Sequence, residues 1–120
     1  GVDTPETVKP DAPVHHFGPE ASRFTKQACY GKQVTLRLER RDLRDKYGRL
    51  LAYVILPDGR MLNRILIEEG YGYADPRFEH THQREFRKAQ DAARAAGRGL
   101  WKDLTDADLP YYYRGKLALD

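Results

Sequence analysis

Val34, Leu36 and Leu38 alternate with Thr35, Arg37 and Glu39, a period of two that predicts a half-buried strand. Leu50 to Leu56 is a second β-rich apolar run, bounded by Tyr47-Gly48 and Pro57-Asp58-Gly59, and the two are expected to pair antiparallel across the connection 41–48. Before them, Ala21, Phe24 and Ala28 recur at helical spacing after Gly18-Pro19-Glu20. A proline and an acid in the first turn suit a helix start, which predicts a helix to about Tyr30, stopped by Gly31. Leu62, Ile65 and Leu66 outline a helix of about two turns ending at Glu69-Gly70. Thr81 is the expected N-cap of a last helix whose apolar face runs through Phe86, Ala89, Ala93 and Leu100 and ends at Gly97 and Gly99, with Trp101 anchoring it to the core. The order helix, strand, strand, helix, helix predicts an α+β domain.

Length and charge narrow this picture. The 120 residues suffice for one core and not for two ordinary domains. No apolar run reaches the roughly 18 residues of a membrane-spanning helix. The single Cys29 excludes an intramolecular disulfide and reads as a small buried hydrophobe. The opening residues carry neither an initiator Met nor the apolar run of a secretory leader, so this end leaves localisation open. Net charge is +3, unevenly spread: residues 23–49 hold nine Lys or Arg against three acids, while the first 22 hold one Lys against four acids. A basic body beside an acidic corner suits a polyanion partner with a cation between them.

Two short stretches carry candidate chemistry. In Asp3-Thr4-Pro5-Glu6 the proline fixes its own φ and keeps Thr4 extended, so the acids and the Thr4 carbonyl hold fixed relative directions. Hard oxygens so arranged could serve calcium, with Glu6 left to accept a proton from water. Asp45-Lys46-Tyr47-Gly48-Arg49 is a turn that delivers a guanidinium at the start of a strand, a planar fork matched to phosphate oxygens. Each alone reads first as solvated surface. His15-His16 and His80-Thr81-His82 match no zinc spacing and read as solvated loop or cap residues, and Tyr71 and Tyr73 as core rings.

In sequence order, VDTPET, FGPEASRFTK, DKYGRLLAYV and the late helix closed by Leu100-Trp101 resemble the thermonuclease family, whose type member is staphylococcal nuclease, from Val2 to about Trp101. The resemblance implies an OB-fold-like barrel portion carrying three helices over residues 1–103, followed by a tail over 104–120. It implies calcium-dependent hydrolysis of DNA or RNA by in-line attack of water, and an extracellular or cell-envelope location. It makes Asp3 a metal ligand, Thr4 a ligand through its carbonyl, Glu6 the general base and Arg49 the phosphate-stabilising guanidinium, with Lys46 and Tyr47 on the substrate.

Family members carry further strands ahead of VDTPE, with another metal-binding Asp and another phosphate-binding Arg, and this sequence has neither. Calcium affinity and rate are therefore expected to be weak, and the chain by itself to be a poor or inactive nuclease. The alternative reading is a non-catalytic OB-fold module that binds nucleic acid or protein. The short barrel leaves strand edges that need cover, from a second copy exchanging elements, from a missing N-terminal segment, or from residues 111–119 adding a strand.

Overall fold

The structure, a computed structural model, describes residues 1–5 and 16–117. It is α+β, as the element order predicts. In chain order come β1 (Val2–Asp3), α1 (Gly18–Cys29), β2 (Thr35–Leu38), β3 (Ala52–Ile55), α2 (Leu62–Glu68), β4 (Tyr73–Ala74) and α3 (Gln83–Ala95), then short 3-10 turns at Gly99–Trp101 and Asp106–Asp108. The strands make two antiparallel pairs, β1 with β4 and β2 with β3. Among the described residues these pairs do not close into a barrel.

The β2–β3 register corrects the expected burial of the first strand. Thr35 and Arg37 oppose Ile55 and Tyr53, the buried face of β3, whereas Leu36 and Leu38 oppose Val54 and Ala52 on the other face. Residues directly opposite one another share a face of the sheet. The apolar set of β2 therefore lies on the open side, and Leu36 and Leu38 remain 52% and 47% exposed.

Helices α1, α2 and α3 supply seven of the 17 buried apolar side chains found among the described residues. Ala21 of α1 is buried and Phe24 stacks on Tyr71 at 4.3 Å, which fastens α1 to the end of α2. Cys29, half-buried, packs at the edge of this cluster and donates to the Thr25 carbonyl. Asn63 accepts from the Val54 N–H and donates to the Ala52 carbonyl, binding the first turn of α2 to β3. In α3, Phe86, Gln90 and Ala93 fall on one face at spacings of four and three, and all are buried. Gln90 accepts from the Ala74 N–H, which joins α3 to β4.

Residues after Trp101 pack onto this body. Leu104 and Leu109 enter one core cluster with Tyr73, Ala93, Leu100 and Trp101. The tail forms turns rather than an added strand over its described length, so that source of edge cover is not the one used.

Candidate active site

Asp3 closes β1 opposite Tyr73, and Gly1 extends the pairing by accepting from the Asp75 N–H. The Asp3 Oδ2 accepts from the Tyr112 hydroxyl at 2.5 Å and lies 3.9 Å from Arg77 Nη2. Burial first, and then the hydrogen bond to Asp3, push the Tyr112 phenol well above its ordinary pKa, so it stays a donor. Arg77 is fixed by Asp75, to which Nε donates at 2.9 Å and Nη2 at 2.6 Å, and its guanidinium sits 4.5 Å from the Tyr112 ring centre. Thr4 is at the surface and Pro5 is buried. Glu6 lies outside the described residues.

The second group of candidate residues sits on the connection between β2 and β3. Asp45 organises it: Oδ1 accepts from the backbone N–H groups of Tyr47 and Arg49, both at 2.9 Å, and Oδ2 from Arg49 Nε at 2.6 Å. Desolvation alone would raise the Asp45 pKa, but the Arg49 and Tyr47 bonds outweigh it and hold the carboxyl below its ordinary value. Gly48, at φ +81°, closes the turn. Lys46 Nζ lies 5.1 Å and Arg49 Cζ 5.4 Å from the Tyr47 ring centre. The Arg49 side chain is 75% exposed, a charged fork held at its base and open at its end. Lys46, Tyr47 and Arg49 thus stand together, while Asp3 is gathered with Arg77 and Tyr112.

Calcium takes six to eight oxygen ligands. No group of three His, Cys, Asp or Glu side chains converges among the described residues. Asp3 already accepts from Tyr112 and faces a guanidinium. The described donors, the Asp3 carboxylate and the Thr4 carbonyl, do not by themselves fit calcium.

One buried polar cluster has no counterpart in the motifs. Glu39, just past β2, is 3% exposed. Its Oε1 accepts from the Thr81 hydroxyl at 2.6 Å and the Arg40 N–H at 3.0 Å, and its Oε2 from the Thr81 N–H at 3.0 Å and from the Tyr53 hydroxyl. Burial alone would raise this carboxyl, but the donors from Thr81 and Tyr53 overcome it and hold the pKa at about 2. Thr81 thus serves Glu39 rather than capping α3, whose N-cap is His82. His80, expected in solvent, is buried, with Nδ1 2.9 Å from the Tyr53 hydroxyl and its ring 5.2 Å from that of Phe86. Burial lowers its pKa to about 4, so it is neutral near pH 7. No local pattern marks these residues as a group, because Glu39 reads as the polar member of an alternating strand.

A family model described as Staphylococcal nuclease homologue matches residues 1–103. Thermonuclease of Staphylococcus hyicus is 40% identical over 104 residues, 86% of this chain and 60% of that protein. Thermonuclease of Staphylococcus intermedius is 51% identical over 74 residues, 62% of this chain and 43% of that protein. Endonuclease YncB of Bacillus subtilis is 37% identical over 105 residues, 83% of this chain and 48% of that protein. The chain spans about half the length of these relatives.

Proposed function

The chain belongs to the staphylococcal nuclease family, and from that premise we propose that it is a nuclease-like OB-fold domain that hydrolyses phosphodiester bonds of DNA or RNA, weakly on its own. What carries the reading is the family match over residues 1–103, which takes in both the acidic corner and the Arg49 turn. The exposed, Asp45-seated guanidinium of Arg49 supports it, since a preorganised donor aimed at a phosphate needs little reorganisation as charge develops.

In this scheme Glu6 takes the proton of the attacking water as its oxygen bonds to phosphorus. Arg49 neutralises the charge that grows on the non-bridging oxygens and on the departing oxygen as the P–O bond breaks, while Lys46 and Tyr47 hold the neighbouring nucleotide. Calcium is expected to be required but weakly held near Asp3 and Thr4, with half-saturation no tighter than about 1 mM.

The test is digestion of labelled DNA and RNA with calcium and with a chelator. Slow, chelator-sensitive cleavage is expected, with Arg49→Ala lowering the rate about 10²–10³-fold and Glu6→Gln bringing it to background. Nucleic-acid binding without cleavage at any calcium concentration would give the case to the non-catalytic module.

Among the described residues β2 pairs with β3 alone, and this open edge, beside the exposed Leu36 and Leu38, is the observation behind a second part of the proposal, that a further copy exchanging elements, or upstream residues, covers it. If a second copy supplies the cover, sedimentation should give a mass of at least twice the 13.9 kDa of one chain. A monomer that melts cooperatively would refute exchange between copies.

A further inference from the structure

The three consecutive tyrosines near the C-terminus do different things. Tyr113 donates its hydroxyl to the Ala74 carbonyl at 2.5 Å and accepts from Gln90 at 3.1 Å. Tyr112 is buried with its hydroxyl on Asp3. Tyr111 alone faces outward, 70% exposed, its ring edge-on to Tyr112 at 5.3 Å between centres. Two anchored rings therefore set the position of the third. Arg77 lies alongside, its Cζ 6.0 Å from the Tyr111 ring centre, its side chain 44% exposed, and its fork pinned by the buried Asp75.

An exposed ring carried next to two anchored ones, beside a partly exposed guanidinium held by Asp75, suits one repeating unit of a nucleic acid strand, the base on the ring and the phosphate on the fork. We infer that Tyr111 and Arg77 form a ledge for single-stranded nucleic acid that leads to Asp3, with Tyr111 stacking on an unpaired base and Arg77 meeting the adjacent phosphate. The ledge rests on the phosphodiesterase reading for its place beside the reaction. Its tyrosines lie beyond the segment matched by the family model. A base paired within a duplex does not offer its face to a tyrosine, so the ledge selects single strands or frayed ends. Asp3 and Asp75 both border Arg77 and offset much of its pull on a phosphate, so stacking on Tyr111 carries the larger share of the affinity.

The experiment is fluorescence anisotropy with a labelled eight-nucleotide single-stranded DNA and the matching duplex, both in chelator, followed by cleavage of the same oligonucleotide in calcium. Tyr111→Ala should weaken single-strand binding about tenfold and leave duplex binding within about twofold, while Tyr111→Phe, which keeps the ring, stays within about threefold of the unaltered chain. Arg77→Ala should lower the slope of log affinity against log salt by about 0.7. If that variant unfolds because Asp75 loses its partner, the Tyr111 pair decides the matter.

Single-strand binding that ignores Tyr111, equal losses on single strand and duplex, or no single-strand binding by the unaltered chain would each overturn the ledge. Tyr111-dependent binding without cleavage in calcium would leave the ledge standing and overturn the nuclease reading alone.

Discussion

Gly70→Ala should cost more than about 4 kcal/mol, against a total stability of about 5–15 kcal/mol for a domain of this kind. Gly70 sits at φ +78°, where an L side chain already adds roughly 1 kcal/mol or more of strain. Steric contact costs more than that strain. A Cβ there would lie 2.2 Å from the Arg98 carbonyl oxygen and 2.6 Å from its carbon, backbone atoms that cannot swing aside. Gly99, facing it, would place its own Cβ 2.3 Å from the Gly70 carbonyl oxygen. Through this crossing the Leu100 N–H reaches the Gly70 carbonyl at 2.8 Å, and Leu100 and Trp101 are carried into the cluster that holds Tyr73 and Ala93. Relieving the clash means breaking that bond and shifting a fully buried leucine. Gly31→Ala is the control: φ is +71°, nothing lies near its Cβ, and a loss of only about 1 kcal/mol is expected. Urea melts of the two variants measure the difference, and a Gly70→Ala loss as small as the control's would mean that the crossing gives way freely.

That crossing marks where the sequence stops being legible. Gly70 and Gly99 each read as helix stops, a local property of the chain. Gly70 does follow the end of α2, but Gly97 at φ +63° closes α3, and Gly99 opens the 3-10 turn Gly99–Trp101. That Gly70 and Gly99 also touch follows from how α2 and α3 pack, which no single stretch encodes. The same division runs through the molecule. Helices α1, α2 and α3 and the β2–β3 hairpin could be read because their apolar residues repeat at 3.6 or 2 positions and their breaks fall on Gly and Pro. The Arg49 turn could be read because every bond in it spans four residues or fewer.

The exposure of β2 on both its faces could not be read, because alternation gives two faces and only the surrounding structure decides whether either is covered. The β1–β4 pair has two residues per strand, too few for any period to appear. The partners of Asp3 were hidden by distance: Tyr112 lies 109 positions away, and Arg77 reads as an ordinary loop cation until Asp75 and the tail rings immobilise it. For the candidate site, then, the residue types and their order were legible, whereas the partner each side chain takes in the folded chain was not.

Glu39 is the other residue on which much of the fold depends, and its protonation should be visible as acid lability. Its carboxyl has a pKa of about 2, below the ordinary 4.5, so the stability this supplies is complete above pH 4.5 and drains away as pH falls towards 2. His80 acts over an earlier window with the same sign. Held neutral by burial with a pKa of about 4, it resists a proton that the unfolded chain accepts near pH 6.5, so stability declines from pH 6.5 down to 4. Each window spans roughly two to three pH units and, at about 1.4 kcal/mol per unit, is worth on the order of 3–4 kcal/mol. Glu39→Ala should remove about 3–5 kcal/mol at pH 7, because the hydroxyls of Tyr53 and Thr81 and the Thr81 N–H lose their acceptor inside the protein. The variant should also lose the lower pH window while keeping the upper one, since His80 remains buried. Urea melts of both forms at pH 7, 5 and 3 measure these slopes. Parallel pH dependences for the two proteins would mean that the charge on Glu39 is not what ties β2 to the residues ahead of α3.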